Sequence, residues 1–452
     1  MNKELIYASV QRVADTVTAL SDQVWEFAEI SMQEQQTAKA YIQVLKEQGF
    51  QVTENLVGLP TAFMGSYGTG RPVIGILGEY DALSGLAQTA GSCHAATDCP
   101  GGNGHGCGHN LLGAASLGAA IAVKEQIQAG NLKGTVVFYG CPGEEGCAGK
   151  VFMARDGLFR DLDAALSWHP GDANEVITGS NAASLQVEYT FTGIASHAAD
   201  APEHGRSALD AAELMNIGVQ FLREHMPQHS SVHYAFTNAG GISPNVVQST
   251  AKLVYMVRGE NVTAAKALLA RVEKIALGAA LMTETTMVSR QIDGTSSTLS
   301  NRVLEQLLYE NLCQAPLPVY SPSDIAFAAT LKTTYSADQR EQVLRDGVMP
   351  YKPSDRWSPG STDLGDVSWL TPTAQFNAVA WPVGIPGHSW QIVSAGKTEI
   401  AHKGILYAAK VLAGAVADLM ETPALLQAAR EEFAVSSAGG YDCPITKDIK
   451  PV

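Results

Sequence analysis

The 452-residue sequence predicts an α/β fold, a mixed, largely parallel sheet with flanking helices, interrupted by a smaller inserted α+β domain. Up to about residue 170, short apolar runs alternate with helical patterns, the arrangement that builds βα units and parallel strands. From Leu185 the order becomes strand, helix, strand, strand, helix, strand, the ferredoxin-like split motif. A chain of this length with 46% hydrophobic residues exceeds one ordinary core and can fill two. The expected divisions are 1–182 and 297–452 for the two parts of the main domain, with 183–296 inserted between them.

Leu5 to Gly49 carries helical periodicity, and Val73-Ile74-Gly75-Ile76-Leu77 is a short apolar run of the kind a fully buried strand shows. Gly78-Glu79-Tyr80-Asp81 follows it. A glycine-rich loop, Ala90 to Gly108, leads to a long helix from about Asn110 to Gln128, then to strands at Thr135–Tyr139 and Ala164–Trp168. The insertion reads as strand Leu185–Thr192, helix Ser207–Glu224, strands Val232–Thr237 and Ala251–Arg258, helix Thr263–Met282 and strand Thr285–Gln291. Leu253, Tyr255 and Val257 alternate along one face of the fourth element. A helical pattern returns at Leu299–Leu312, a polar, proline-containing stretch spans Ala315 to Pro359, and an apolar helix around Ile405–Met420 returns to the main domain.

Thirty basic and 45 acidic residues give a net charge of -15, which argues against nucleic acid or an anionic membrane as a partner. The opening Met1-Asn2-Lys3-Glu4 lacks the basic tip and apolar core of a secretory signal, so a cytoplasmic protein is expected. The longest apolar stretch, Leu111 to Val123, falls short of the ~20 residues a membrane helix needs and reads as a buried helix. Seven scattered cysteines, an odd number in a long chain, point to reduced thiols, most of them small buried or incidental side chains.

Cys107-Gly108-His109, Glu144-Glu145 and Trp168-His169-Pro170 each lie at or soon after the end of a strand-like run. Parallel strands align their carboxyl ends on one edge of a sheet, so these groups can converge there as a metal site. A thiolate and an imidazole at a helix start suit zinc or manganese, and the helix dipole favours the anionic sulfur. Alone, Cys-x-His is equally a buried thiol beside a capping histidine. Glu144 and Glu145 follow a strand apolar on both faces, a poor setting for a solvated acidic turn. Two adjacent carboxylates can divide two tasks, one holding a cation and the other taking a proton from water and returning it to a leaving amine. His169 could be a core histidine satisfied by backbone, but it leaves the sheet at the same edge. His388, in Gly384-Ile385-Pro386-Gly387-His388-Ser389-Trp390, is undecided on spacing alone. The glycines at 102, 104, 106 and 108 have no strand immediately before them and no acidic partner at the distance a dinucleotide site requires. A nucleophilic Cys107 with His109 as its base would leave the two glutamates unexplained.

Taken together, these segments resemble the M20 metallopeptidase family, and within it an amidohydrolase branch. The likeness extends to Gly240-Gly241-Ile242-Ser243-Pro244-Asn245-Val246-Val247-Gln248 and Ser361-Thr362-Asp363-Leu364-Gly365-Asp366, and covers almost the whole chain. The resemblance implies a zinc-peptidase-like catalytic domain holding two divalent ions, Zn2+ or Mn2+. The ligands would be Cys107, His109, Glu145, His169 and His388, with Glu144 as general base. It implies that the insertion is a lid and dimerisation domain and that His197 reaches a neighbouring subunit's site to steady the oxyanion. Asn245 and Arg258 would hold the substrate carboxylate. The implied substrate is a small N-acyl amino acid, foremost p-aminobenzoyl-glutamate, with β-alanyl dipeptides as the alternative. The implied assembly is a homodimer, or a hetero-oligomer with a related subunit on which activity depends. Many M20 enzymes have His-x-Asp after the first strand, whereas this chain has Glu79-Tyr80-Asp81, so no imidazole comes from there and Asp81 would stand behind the ligands. The stretch Ala315 to Pro359 matches no part of the family pattern.

Overall fold

Seven strands form the main sheet in the order Gln51–Glu54, Phe63–Thr69, Gly134–Cys141, Val73–Glu79, Ala164–Gly171, Thr373–Val379, Glu175–Val176. The computed structural model describes residues 2–336 and 342–450. The four strands from Gly134–Cys141 to Thr373–Val379 run parallel, and the outer strands join them antiparallel. Val73–Glu79 is buried on both faces from Ile74 onward, which its unbroken apolar run requires.

The first helical stretch resolves into helices Lys3–Arg12, Ala14–Phe27 and Gln35–Glu47. Ala28 at φ 42 ends the second of these, and the segment before Gln35 crosses the sheet edge, where Ile30 bridges Ala82. Helix His109–Gln128 is buried on nearly all sides and packs against helix Glu399–Glu421. Among the described residues Glu399–Glu421 alone is long and apolar enough to cross a membrane, but 78% of its apolar window is buried inside the fold as core.

The chain divides into two compact units. The first comprises the chain up to Gly179, Leu299–Asp355 and Val367–Gly440; the second comprises Ser180–Thr298, Arg356–Asp366 and the chain from Tyr441 onward. In the second unit a four-stranded sheet has the order Thr286–Thr295, Ala183–Thr192, Thr250–Gly259, Ser231–Asn238, all antiparallel. That is the strand arrangement of the ferredoxin-like motif. Leu253, Tyr255 and Val257 point inward, opposite Tyr189, Val187 and Leu185, beneath helices Ala208–Arg223 and Val262–Thr283. Both helices are capped as their sequences allow, Ser207 accepting the Asp210 N–H and Asn261 the Ala264 N–H.

The polar stretch 315–359 contains the helix Pro322–Lys332, while residues 337–341 lie outside the described residues.

Candidate metal centre

The carboxyl ends of the four parallel strands carry the chemistry. Val73–Glu79 ends at Glu79 and passes into Asp81; Gly134–Cys141 leads to Glu144 and Glu145. Ala164–Gly171 contains His169, and the loop after Thr373–Val379 carries His388. Helix His109–Gln128 begins at the same edge, capped by Gly108 at φ 75. A Cβ on Gly108 would stand 2.7 Å from the Trp381 ring and 2.8 Å from Pro170, so only glycine admits this turn.

His109 is fully buried. Its Nδ1–H donates to Asp81 Oδ1 at 2.9 Å, which turns Nε2 toward the other donors as the nitrogen that would bind a cation once its proton is displaced. Nε2 lies 3.3 Å from Glu79 Oε2 and 4.0 Å from Glu145 Oε1, and among the described residues neither Nε2 nor Glu145 Oε1 has a hydrogen-bond partner. His169 is held the same way, with Nδ1 2.8 Å from the Pro170 carbonyl and Nε2 3.4 Å from Cys107 Sγ. The two rings meet edge to face at 5.8 Å. His388, in the left-handed region at φ 52, ties its N–H to Gly106 O at 3.1 Å and places Nε2 3.4 Å from Glu145 Oε1.

Three overlapping donor groups result, each with ligand atoms within 4.8 Å of one another: Cys107, His109 and His169; Cys107, Glu145 and His388; and Glu79, His109 and Glu144. All six main-domain residues singled out in the sequence therefore converge. Cys107 sits among several donors, not paired with one base.

The charges reinforce one another. Burial pushes the Cys107 thiol up, but facing His169 and His109 overrule it and hold the thiol down at about 6. Burial likewise opposes ionisation of Asp81, yet the His109 hydrogen bond and charge keep its carboxyl at about 2. Facing Cys107 and Glu145 raises His388 to about 10. Thiolate, imidazole nitrogen and carboxylate oxygen around two unsatisfied buried atoms fit a borderline-soft divalent cation.

Two features were not foreseen. Glu79 forms an ion pair with fully buried Lys150 at 2.8 Å, a partner 71 residues away in sequence. Asp81 also accepts the Ser31 hydroxyl at 2.7 Å and the Glu145 N–H at 3.0 Å, linking the orientation of His109 to that of the glutamate pair.

The remaining candidates belong to the second unit. His197 is exposed, and its Nδ1 accepts the Ala199 and Asp200 N–H groups at 3.2 and 3.0 Å, which leaves the proton on Nε2. Asn245 is exposed in the loop before strand Thr250–Gly259, and Arg258 on that strand donates from Nε to Ser361 Oγ at 3.1 Å.

A thiolate, imidazoles and carboxylates gathered at the carboxyl edge of a largely parallel α/β sheet define the class as a hydrolase with a candidate metal centre. The chain belongs to peptidase family M20/M25/M40, whose model matches residues 75–418, and it is accordingly a hydrolase of amide bonds. It is 44% identical to the B subunit of p-aminobenzoyl-glutamate hydrolase from Escherichia coli (strain K12), over 99% of this chain and 97% of that one. It is 27% identical to the Xaa-Arg dipeptidase of Mus musculus, over 94% and 90% respectively. A putative aminohydrolase from methicillin-resistant Staphylococcus aureus shares the fold at a TM-score of 0.66 and 18% identity, over 93% of this chain and all of that one.

Proposed function

We propose that the chain hydrolyses the amide bond of p-aminobenzoyl-glutamate, with Cys107, His109, Glu145, His169 and His388 holding two divalent cations and Glu144 acting as general base. The observation that carries this reading is the 44% identity to the Escherichia coli hydrolase across nearly both full lengths. The convergence of the donor set at one sheet edge supports it. When bound, the cations supply Lewis-acid polarisation of the scissile carbonyl and acidify the attacking water.

The residues of the chain do the rest. Glu144 takes the proton of the attacking water on its carboxylate and delivers it to the departing α-amino nitrogen of glutamate. His197, with its proton on Nε2, donates to the oxyanion in a neighbouring subunit. Arg258 and Asn245 bind the free carboxylates of the glutamyl group. Asp81 keeps His109 in the tautomer that offers Nε2. The thiolate favours zinc over manganese as the resident ion.

The second unit serves as lid and dimerisation domain. Support comes from the apolar side chains its helices expose, Ile217 and Phe221 on one and Leu277 and Leu281 on the other. A related second subunit is the alternative partner, since the Escherichia coli relative is named as one subunit of its enzyme. The whole works in the cytoplasm.

The test is release of p-aminobenzoate by the purified chain, before and after chelation and with zinc or manganese restored. Metal-dependent release is expected. Bound metal without release, together with cleavage of a dipeptide ending in arginine, would transfer the reading to a dipeptidase; a preparation that binds no metal would overturn the site assignment.

A further inference from the structure

Among the buried carboxylates the mechanism does not use, Glu34 lies against the turn that carries Glu144 and Glu145. Glu34 is fully buried, outside every motif that marks the site. Its Oε1 accepts the N–H of Gly143 at 2.8 Å, and its Oε2 accepts the Thr61 hydroxyl at 3.0 Å. Gly143 immediately precedes Glu144 and Glu145. It stands at φ 69, and a Cβ there would lie 2.9 Å from the end of the Met32 side chain.

The same short segment reaches the other half of the centre. Ser31 Oγ donates to Asp81 Oδ2 at 2.7 Å, and a Cβ on Gly146 would meet that hydroxyl at 2.8 Å. The Ala82 N–H donates to the Glu29 carbonyl at 2.8 Å, fixing the segment along the end of the first parallel strand. Residues 29–34 thus touch both Asp81, which orients His109, and the turn that carries the two glutamates.

Burying a carboxylate costs several kcal/mol unless it is hydrogen-bonded, and an apolar side chain of similar volume would fill the space without that penalty. Burial and the nearby charge of Asp81 push Glu34 up to about 7, and whether ionised or protonated it keeps Oε1 as the acceptor of the Gly143 N–H. The geometry points to Glu34 as a positioning residue that fixes the Gly143 peptide and thereby aims the carboxylates of Glu144 and Glu145. Its catalytic consequence rests on the proposed roles of those two glutamates; its effect on the turn does not.

Three variants separate positioning from packing. Glu34→Leu keeps the volume and removes the acceptor, Glu34→Asp keeps the carboxyl and shortens the reach, and Glu34→Gln retains an acceptor oxygen at the original distance. Hydrogen exchange of peptides covering 141–147, metal content, and kcat and KM are measured for each. Glu34→Leu and Glu34→Asp are expected to speed exchange of this turn selectively and to lower kcat about 10–100-fold with KM within about threefold, the scale of a small misplacement of a catalytic group. Glu34→Gln is expected to restore most of both. Should Glu34→Leu fail to fold, the order of Glu34→Gln above Glu34→Asp decides the matter. Unchanged exchange in Glu34→Asp, or Glu34→Gln as impaired as Glu34→Asp, would overturn the proposal. If the wild type does not release p-aminobenzoate, the substrate reading fails, while the exchange data still settle the part played by Glu34.

Discussion

His109 and His169 present the pocket with the same face because each has its Nδ1 occupied, one by Asp81 and the other by the Pro170 carbonyl. An imidazole oriented in this way loses little freedom when Nε2 binds a cation, and the carboxylate raises its basicity. Asp81→Ala is therefore expected to weaken divalent-ion affinity by about 10–100-fold, measured by competition against a chromophoric chelator. An affinity equal to that of wild type would mean that packing alone holds the ring. Cys107 gives the affinity its pH dependence: the thiol held down at about 6 is anionic at neutral pH, and protonation below that value removes a ligand charge. Zinc affinity should fall steeply below pH 6, with Cys107→Ser shifting or abolishing that limb, and should go on rising above pH 7 because a bound cation must displace the proton of His388, raised to about 10. Glu144→Gln should reduce kcat about 100–10,000-fold while metal content stays stoichiometric, because an amide cannot accept the water proton. Cys107 with His109, Glu144 with Glu145, and His169 were legible because each group is local and lies at or soon after a strand-like run; His388 was not, since the strand before it carries little signal. Glu34 and the Glu79–Lys150 pair were not, since only the tertiary approach of distant segments gives them partners.

At the scale of elements, the parallel strands were legible from apolar runs bounded by glycine, and their carboxyl edge followed from the alternation with helices. Strand Thr373–Val379 was not, although Ala374, Phe376 and Ala378 are buried on one side; a single alternating run of seven residues in a mixed stretch carries little signal. Helix Pro322–Lys332 had a readable start in Ser321-Pro322-Ser323-Asp324, where Ser321 and Asp324 form a capping box, but its face lacks a clear apolar period. The short helix Gly149–Arg155 supplies Lys150 to the end of strand Val73–Glu79, so one ion pair joins two elements beneath the site. Removing one partner of a buried pair strands the other, so Lys150→Met should destabilise the chain by about 3–5 kcal/mol in denaturant titration. The double variant Lys150→Met with Glu79→Gln should recover a substantial part of that loss, because no uncompensated charge remains. Additive losses in the double variant would show that Lys150 acts chiefly through other contacts.

Over the whole molecule, the strand order of the second unit follows from its βαββαβ sequence, whereas its buried carboxylates left no trace in composition or periodicity. Burial and the nearby charge of Asp363 push Asp293 up to about 7. Burial raises Asp366 to about 7 as well, against hydrogen bonds from the Ser296 N–H and hydroxyl and the Tyr441 hydroxyl. Unfolded, both titrate near 4. Between about pH 4 and 7 the folded chain therefore binds more protons than the unfolded one, and this contribution to stability, complete below pH 4, is lost as the pH rises through 7. The metal centre runs in the opposite sense, since cation binding strengthens as Cys107 ionises. Stripping the metal separates the two. In thermal melts of metal-free protein from pH 5 to 8, Asp293→Asn should leave stability at pH 5 nearly unchanged and raise it at pH 8 by about 2 kcal/mol, because the amide bears no charge to desolvate. A difference between wild type and Asp293→Asn that stays constant across this range would mean that the Asp293 carboxyl does not change its ionisation on folding, and that Asp366 or the centre itself governs the acid side of the stability curve.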